Sequence, residues 1–244
     1  MKALLRWLGL VLLALVGLQL FFVLRIAAMA AINPESTTFQ RSEAWTLLAS
    51  KGSVPWRQQW VPYGRISDHL KRAVIASEDD GFVNHEGVDW AAIEKAWERN
   101  AKAEAQIAKA QSRAPDRPVR APKIRGGSTI TQQLAKNLLL SGERTLLRKG
   151  QEVVLTLLLE QILSKERILE IYLNNVEWGE GVFGAEAAAQ HYFKKSAAQL
   201  TPTDAARLAV MLPAPKRFEK TPGSAYLAGR TRTILERMGS AELP

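Results

Sequence analysis

A mainly α-helical protein is predicted, and three observations predict it. Apolar residues recur at helical spacing from Ile66 onward, with Ser, Thr or Asp standing ahead of the periodic runs. Alternating strand patterns are almost absent, and no internal repeat is found. The chain also begins with an apolar run, WLGLVLLALVGLQLFFVL at residues 7 to 24, long enough to cross a bilayer core of ~30 Å as one helix.

That run carries a single polar residue, Gln19, and follows Lys2 and Arg6. AAMAA at residues 27 to 31 offers small residues of the kind a signal peptidase cleaves. The apolar run exceeds the usual core of a cleaved signal, and Arg25 interrupts the approach to that site, so an uncleaved signal anchor is the reading adopted. The basic N-terminus favours a cytoplasmic start, with Arg25 weakening the bias. Residues 1–31 are thus the cytoplasmic terminus and transmembrane anchor, and the remainder lies outside the cytoplasm. Residues 32–65 carry Pro34, Pro55 and Pro62 and are expected to be a juxtamembrane linker with short extended pieces.

Residues 66–244 form the main folded domain. Ser67 caps a helix with Leu70, Val74 and Ser77 on one face. Asp89 caps a second, where Trp90, Ile93 and Trp97 form one stripe and the Ala-, Lys- and Glu-rich later half is exposed. RAPDRPVRAPKIR at residues 113 to 125 sets five basic residues and three prolines against one Asp, which predicts a mobile cationic loop. After Gly126 and Gly127, Ser128 or Thr129 caps a helix to Leu140. A helix from Thr145 to Leu163 is aliphatic enough for the core, and Val153 to Leu159 is expected to be core rather than a lipid groove. Ser164 caps KERILEIYLNN with Ile168, Ile171 and Tyr172 inward. WGEGVFG is a glycine-rich turn, AEAAAQHYF and TDAARLAVML are short helices, and AYLAGRTRTILERM is the last helix.

The 244 residues hold 33 Lys and Arg against 24 Asp and Glu, a balance of 33 − 24 = +9, which favours an anionic partner. With 47% hydrophobic residues the chain is not disordered, and without cysteine it has neither disulfides nor thiolate metal sites. Outside the cytoplasm no nucleic-acid partner is expected, whereas anionic membrane lipids are.

Against this basic background, IASEDDGFVNHEGVDW at residues 75 to 90 crowds Glu78, Asp79 and Asp80 together. HEGVD falls one ligand short of a zinc helix, and Gly87 argues against a helix there. Oxygen-ligand spacing does not fit a calcium loop. A carboxylate at the end of an apolar helix, beside like charges, has its pKa raised and suits proton transfer. Local capping or ion pairing remains the alternative for Glu78 and Asp79.

ASEDDGFVNHEGVDW, GGSTITQQLAKNLLL and RKGQEVVLTLLLEQILSKERILEIYLNNVEWGEGVFGAEAAAQHYF together resemble the successive motifs of the family 51 glycosyltransferases, across about residues 66 to 215. These are the peptidoglycan glycosyltransferases of class A penicillin-binding proteins and of stand-alone membrane-anchored enzymes. The resemblance implies a lysozyme-like helical lobe with a small membrane-proximal jaw. It implies inverting polymerisation of lipid II, with the growing lipid-linked glycan as donor and undecaprenyl pyrophosphate released. It also implies an inner-membrane enzyme facing the periplasm, among cell-wall synthesis or division proteins.

By the same match, Glu78 fits the catalytic base and Asp79 its positioner, with Phe82, His85 and Gly87 as structural members. Lys136 and Arg144 match cations on the pyrophosphate side, reinforced by Arg148 and Lys149. Gly126, Ser128, Gln132 and Gln133 match the donor-side wall. Glu152 matches a second glutamate, expected to orient Lys136 or a divalent cation such as Mg or Mn; no cofactor is otherwise implied. Asn174 is a motif residue of structural character, as a helix C-cap. Two departures stand out. The segment from Trp90 to Gly126 is long and basic, and Gln151 stands where some members carry a cation. With no S-x-x-K or K-T-G motif, a monofunctional form is expected. The rival readings are a membrane-bound lytic muramidase or transglycosylase, which would need no pyrophosphate cations, and a non-enzymatic scaffold for anionic lipids, which would not depend on Glu78.

Overall fold

The computed structural model describes residues 1–113, 127–143 and 145–244. Gly126, Arg144 and the basic stretch after Arg113 lie outside the described residues. The described residues contain eleven α-helices and three very short strands, in accord with the predicted class.

Helix α1 (Lys2–Ala28) is long and apolar enough to cross a membrane. α2 (Thr38–Lys51) follows, where the sequence suggests a linker of extended pieces. It forms because Thr37 and Gln40 make a reciprocal capping box and Gly52, at φ 67°, closes the far end. Three prolines in residues 32–65 obscure that signal, but they flank the helix rather than interrupt it. β1 (Arg57–Gln58) leads to α3 (Asp68–Glu78), capped by the Ser67 hydroxyl, which accepts from His69 N.

α4 (Trp90–Arg113) starts where Asp89 accepts from Ala92 N at 2.8 Å. Its expected apolar stripe does not turn inward as a unit: Trp90 and Trp97 are exposed, and Ala96 is the buried position. α5 (Ile130–Leu139) begins with a capping box between Thr129 and Gln132, and Thr145 and Ser164 cap α6 (Leu146–Ile162) and α7 (Lys165–Asn175). β2 (Glu177–Gly179) and β3 (Val182–Phe183) are antiparallel, and β1 joins β3 in parallel, giving the order β1-β3-β2. Gly181 makes this corner possible. It sits at φ 70°, and a Cβ there would come within 1.7 Å of the Pro55 carbonyl oxygen. α8 (Ala185–Phe193), α9 (Pro202–Met211), α10 (Pro215–Glu219) and α11 (Ala225–Arg237) complete the chain.

The core gathers Leu70 and Val74 of α3, Leu134 and Leu138 of α5, Leu155 and Leu159 of α6, and Ile168, Ile171 and Tyr172 of α7, all essentially inaccessible. Each such aliphatic side chain stabilises the fold by roughly 1.5–3 kcal/mol. α3 lies against α9 and α11, while α5 lies between α6, α7 and α2. This arrangement brings the C-terminal end of α3 to the N-terminal end of α5.

One expectation about α6 needs correction. Leu155, Thr156 and Leu159 are buried, but Val154 and Leu157 are 44% and 45% exposed. The run from Val153 to Leu159 is therefore half core and half outward-facing. Asn174 is likewise not the C-cap, which is Val176. Fully buried, its side chain accepts from Val61 N at 2.8 Å and donates to the Val61 and Glu170 carbonyls at 2.9 Å, pinning the segment before α3 onto α7. Its structural character stands.

Candidate active site

The acidic stretch folds into a knot around Asp79. Glu78 is the last residue of α3; Asp79 caps that helix and turns inward. One Asp79 oxygen accepts from Ile130 N at 2.9 Å, at the start of α5, where the helix dipole favours negative charge. The other lies 2.9 Å from His85 Nε2. His85 Nδ1 accepts from Gly87 N at 3.1 Å, so the proton of the neutral ring sits on Nε2 and is donated to Asp79.

Gly87 has φ 86°, and a Cβ there would meet Thr156 Cγ2 at 2.7 Å. Its carbonyl accepts from the Thr129 hydroxyl at 2.6 Å. Phe82 is fully buried, with Lys165 Nζ 4.6 Å from its ring centre. Lys165 also donates to the His85 carbonyl at 2.6 Å and to Glu160 at 2.9 Å, and Glu160 accepts from Thr131. Asp79, Phe82, His85 and Gly87 thus form one brace. Lys165, Glu160 and Thr131 belong to it too. These three were not legible beforehand, because their partners lie far along the chain.

The brace leaves Glu78 facing a cleft. Glu78 Oε2 accepts from Gln133 Nε2 at 3.0 Å, and Gln133 Oε1 accepts from the Tyr172 hydroxyl at 2.9 Å. Burial raises the Glu78 pKa above its ordinary 4.5; the hydrogen bonds from Gln133 and Ser77 act against this, and neighbouring Asp79 adds to it. Asp80 is exposed, pairs with Arg237 at 3.1 Å and borders the same cavity as Glu78, whereas Glu86 is exposed away from it.

Two neighbouring cavities lie here. Glu78, Asp79, Asp89, Arg99 and Ser128 line one of about 210 Å³. A larger one, about 600 Å³, is lined by Ser128, Gln132, Gln133, Lys136, Arg148, Lys149 and Glu152, with Thr38, Phe39, Ser42 and Glu43 of α2 on its other side. Ser128 borders both, and Gln133 borders the larger one while holding Glu78. Gln132 spends its side-chain oxygen on the cap of α5, accepting from Thr129 N at 3.1 Å. The α2 residues were not anticipated; Thr37 and Gln40, at capping-box spacing, were the available signal.

Glu152 is 3% exposed and divides its carboxylate between Arg148, at 2.8 Å, and Lys149. The sequence expectation has Glu152 orient Lys136 or a divalent cation; the ion pairs to Arg148 and Lys149 are contacts it does not include. Both of its oxygens are engaged, and among the described residues no three His, Asp or Glu side chains gather to hold a metal ion. The described residues do not fit a metal, and no step is derived through one. Lys149 remains half exposed with two further protons to donate, so the pair of cations is fixed yet open to an anion.

A buried glutamate with a raised pKa in one cavity, and fixed cations lining the adjoining one, are the elements that a group-transfer enzyme needs for a substrate with an anionic leaving group. A family model described as Transglycosylase matches residues 46–239. The chain is 54% identical to a biosynthetic peptidoglycan transglycosylase of Herminiimonas arsenicoxydans over 100% of this chain and 99% of that one. Likewise named proteins of Paraburkholderia xenovorans (strain LB400) and Janthinobacterium sp. (strain Marseille) are 51% and 53% identical, over 98% and 100% of this chain and 94% and 99% of theirs. The chain belongs to the transglycosylase family, and its activity is that of a peptidoglycan glycosyltransferase.

Proposed function

We propose that Glu78 is the general base of lipid II polymerisation. Its carboxylate takes the proton of the acceptor's 4-hydroxyl. That oxygen attacks the anomeric carbon of the lipid-linked glycan from the face opposite the pyrophosphate. The bond to the pyrophosphate oxygen breaks, and the configuration inverts. Lys136, Arg148 and Lys149 receive the charge that develops on the leaving group. Ser128, at the junction of the cavities, lies beside the reacting centre, and Glu152 is a positioning residue for Arg148 and Lys149. Gln133 and Asp79 position Glu78.

The observation that carries this reading is Glu78 in the smaller cavity, held by Gln133, which lines the larger cavity with its cations. α1 serves as a single-pass anchor in the cytoplasmic membrane, with the catalytic domain on the extracytoplasmic side and anionic lipids as its surroundings. Polymerisation of purified lipid II without ATP or a nucleotide sugar tests the reaction. Glu78→Gln is expected to lower the rate by about 10²–10⁴-fold, the usual contribution of a general base. Full activity in that variant would remove Glu78 from the role. Cleavage of finished glycan by the wild type would favour the lytic reading instead.

A further inference from the structure

α1 meets the rest of the protein along one stripe. Phe22, Ile26 and Met29 are buried, whereas every residue before Gln19 is exposed. With Gln19 they follow helical spacing; α1 packs on α6, and the Met29 carbonyl accepts from Arg167 of α7 at 2.8 Å. At the inner end of the stripe, Gln19 and Gln151 exchange two amide hydrogen bonds, each 3.2 Å. Gln19 is the one polar residue of the apolar run, and Gln151 immediately precedes Glu152.

Length fixes the depth of this pair. Trp7 to Leu24 rises ~27 Å, close to the ~30 Å of a bilayer core. Trp7 to Leu18 alone would rise only ~18 Å and leave the span incomplete. Residues 19–24 must therefore be inside the bilayer, with Arg25 at its outer edge. Gln19 then lies ~9 Å below Arg25. Gln151 shares that depth, and the outward Val154 and Leu157 on the following turns of α6 meet acyl chains rather than water. In hydrocarbon each amide would be orphaned without the other, which is why two glutamines pair there.

We propose that the Gln19–Gln151 clasp is a positioning device. It holds α6, and with it the Arg148–Lys149–Glu152 cluster, against the anchor helix on the outer-leaflet side of the bilayer. The pyrophosphate of a lipid-linked substrate then reaches the cations without its tail leaving the bilayer. The proposal rests on reading α1 as the membrane anchor.

Two measurements test it. First, Gln19→Cys with Gln151→Cys, in a chain that has no other cysteine, is treated in lipid vesicles with a short bifunctional thiol reagent. An intramolecular cross-link is expected. Protein that resists carbonate extraction yet does not cross-link overturns the clasp; protein that carbonate extracts overturns the anchor reading and the clasp with it. Second, Gln151→Leu is compared with wild type on long-chain lipid II in vesicles and on a short-chain analogue in detergent micelles. KM in vesicles is expected to rise about three- to tenfold, in keeping with the strength of hydrogen bonds between membrane helices. kcat should change less than about twofold, and the micelle reaction should be unchanged. Gln19→Leu should give the same shift, and the double variant, which leaves no orphaned amide, should be no worse than either. Equal KM in the two formats, or additive shifts, would overturn the proposal.

Discussion

Asp79→Asn separates bracing from chemistry. The carboxylate accepts from Ile130 N and His85 Nε2, one donor on each oxygen, and is almost fully buried. An asparagine offers one accepting oxygen, and its amide nitrogen presents protons where a second acceptor is needed. His85 cannot respond by moving its proton, because Nδ1 already accepts from Gly87 N. One buried donor is left unpaired, and the charge-assisted bond at the α5 N-terminus weakens. Together these cost about 2–3 kcal/mol. For a domain of this size that lowers Tm by about 4–12 °C, readable by circular dichroism in detergent. Asp79 also helps hold the Glu78 pKa up, behind burial, so its neutral replacement should shift the acid limb of the rate profile to lower pH. An unchanged Tm together with an unmoved acid limb would refute the bracing role.

Three further outcomes are expected. Glu78 has a raised folded-state pKa, so it contributes nothing to the pH dependence of stability below its ordinary 4.5, where folded and unfolded chains are both protonated; stability then falls as pH rises from 4.5 through the folded value. Glu78→Gln removes that penalty, so thermal scans at pH 7.5 should find it at least as stable as wild type though inactive, with the difference gone near pH 4. Gly87→Ala forces a side chain into φ 86° and against Thr156 and Glu160, and should cost at least about 2 kcal/mol in denaturant unfolding. Glu152→Gln keeps the shape but releases Arg148 and Lys149 from their ion pairs, and kcat should fall about tenfold or more in steady-state polymerisation.

Most of the helices were legible because their starts are written locally. Ser67, Asp89, Thr129 and Ser164 each stand where a hydroxyl or carboxylate can satisfy the first free N–H groups, and the structure uses all four. α2 was missed because its capping box sits among prolines that read as linker. The outward half of α6 was misread for a different reason: lipid and protein interior accept the same Val and Leu side chains, so composition does not distinguish them. In the candidate site, Glu78, Asp79, His85 and Gly87 were visible as one short acidic segment. What could not be read was the wiring between distant segments. The Gln133 contact to Glu78 crosses 55 positions, and Glu152 had more cations within reach along the sequence than it has partners in space.

The wall that α2 gives the larger cavity bears on how this enzyme can be divided. Thr38, Phe39, Ser42 and Glu43 precede residue 46, where the family match begins, and Glu43 is tied across the fold to Lys216 near the C-terminus. A shortened chain started at the first family motif would still hold Glu78 and its brace, yet the larger, cation-lined cavity would stand open on one side. Anchor-proximal and catalytic segments are thus one inseparable unit, and a water-soluble version should keep everything from Thr37 onward.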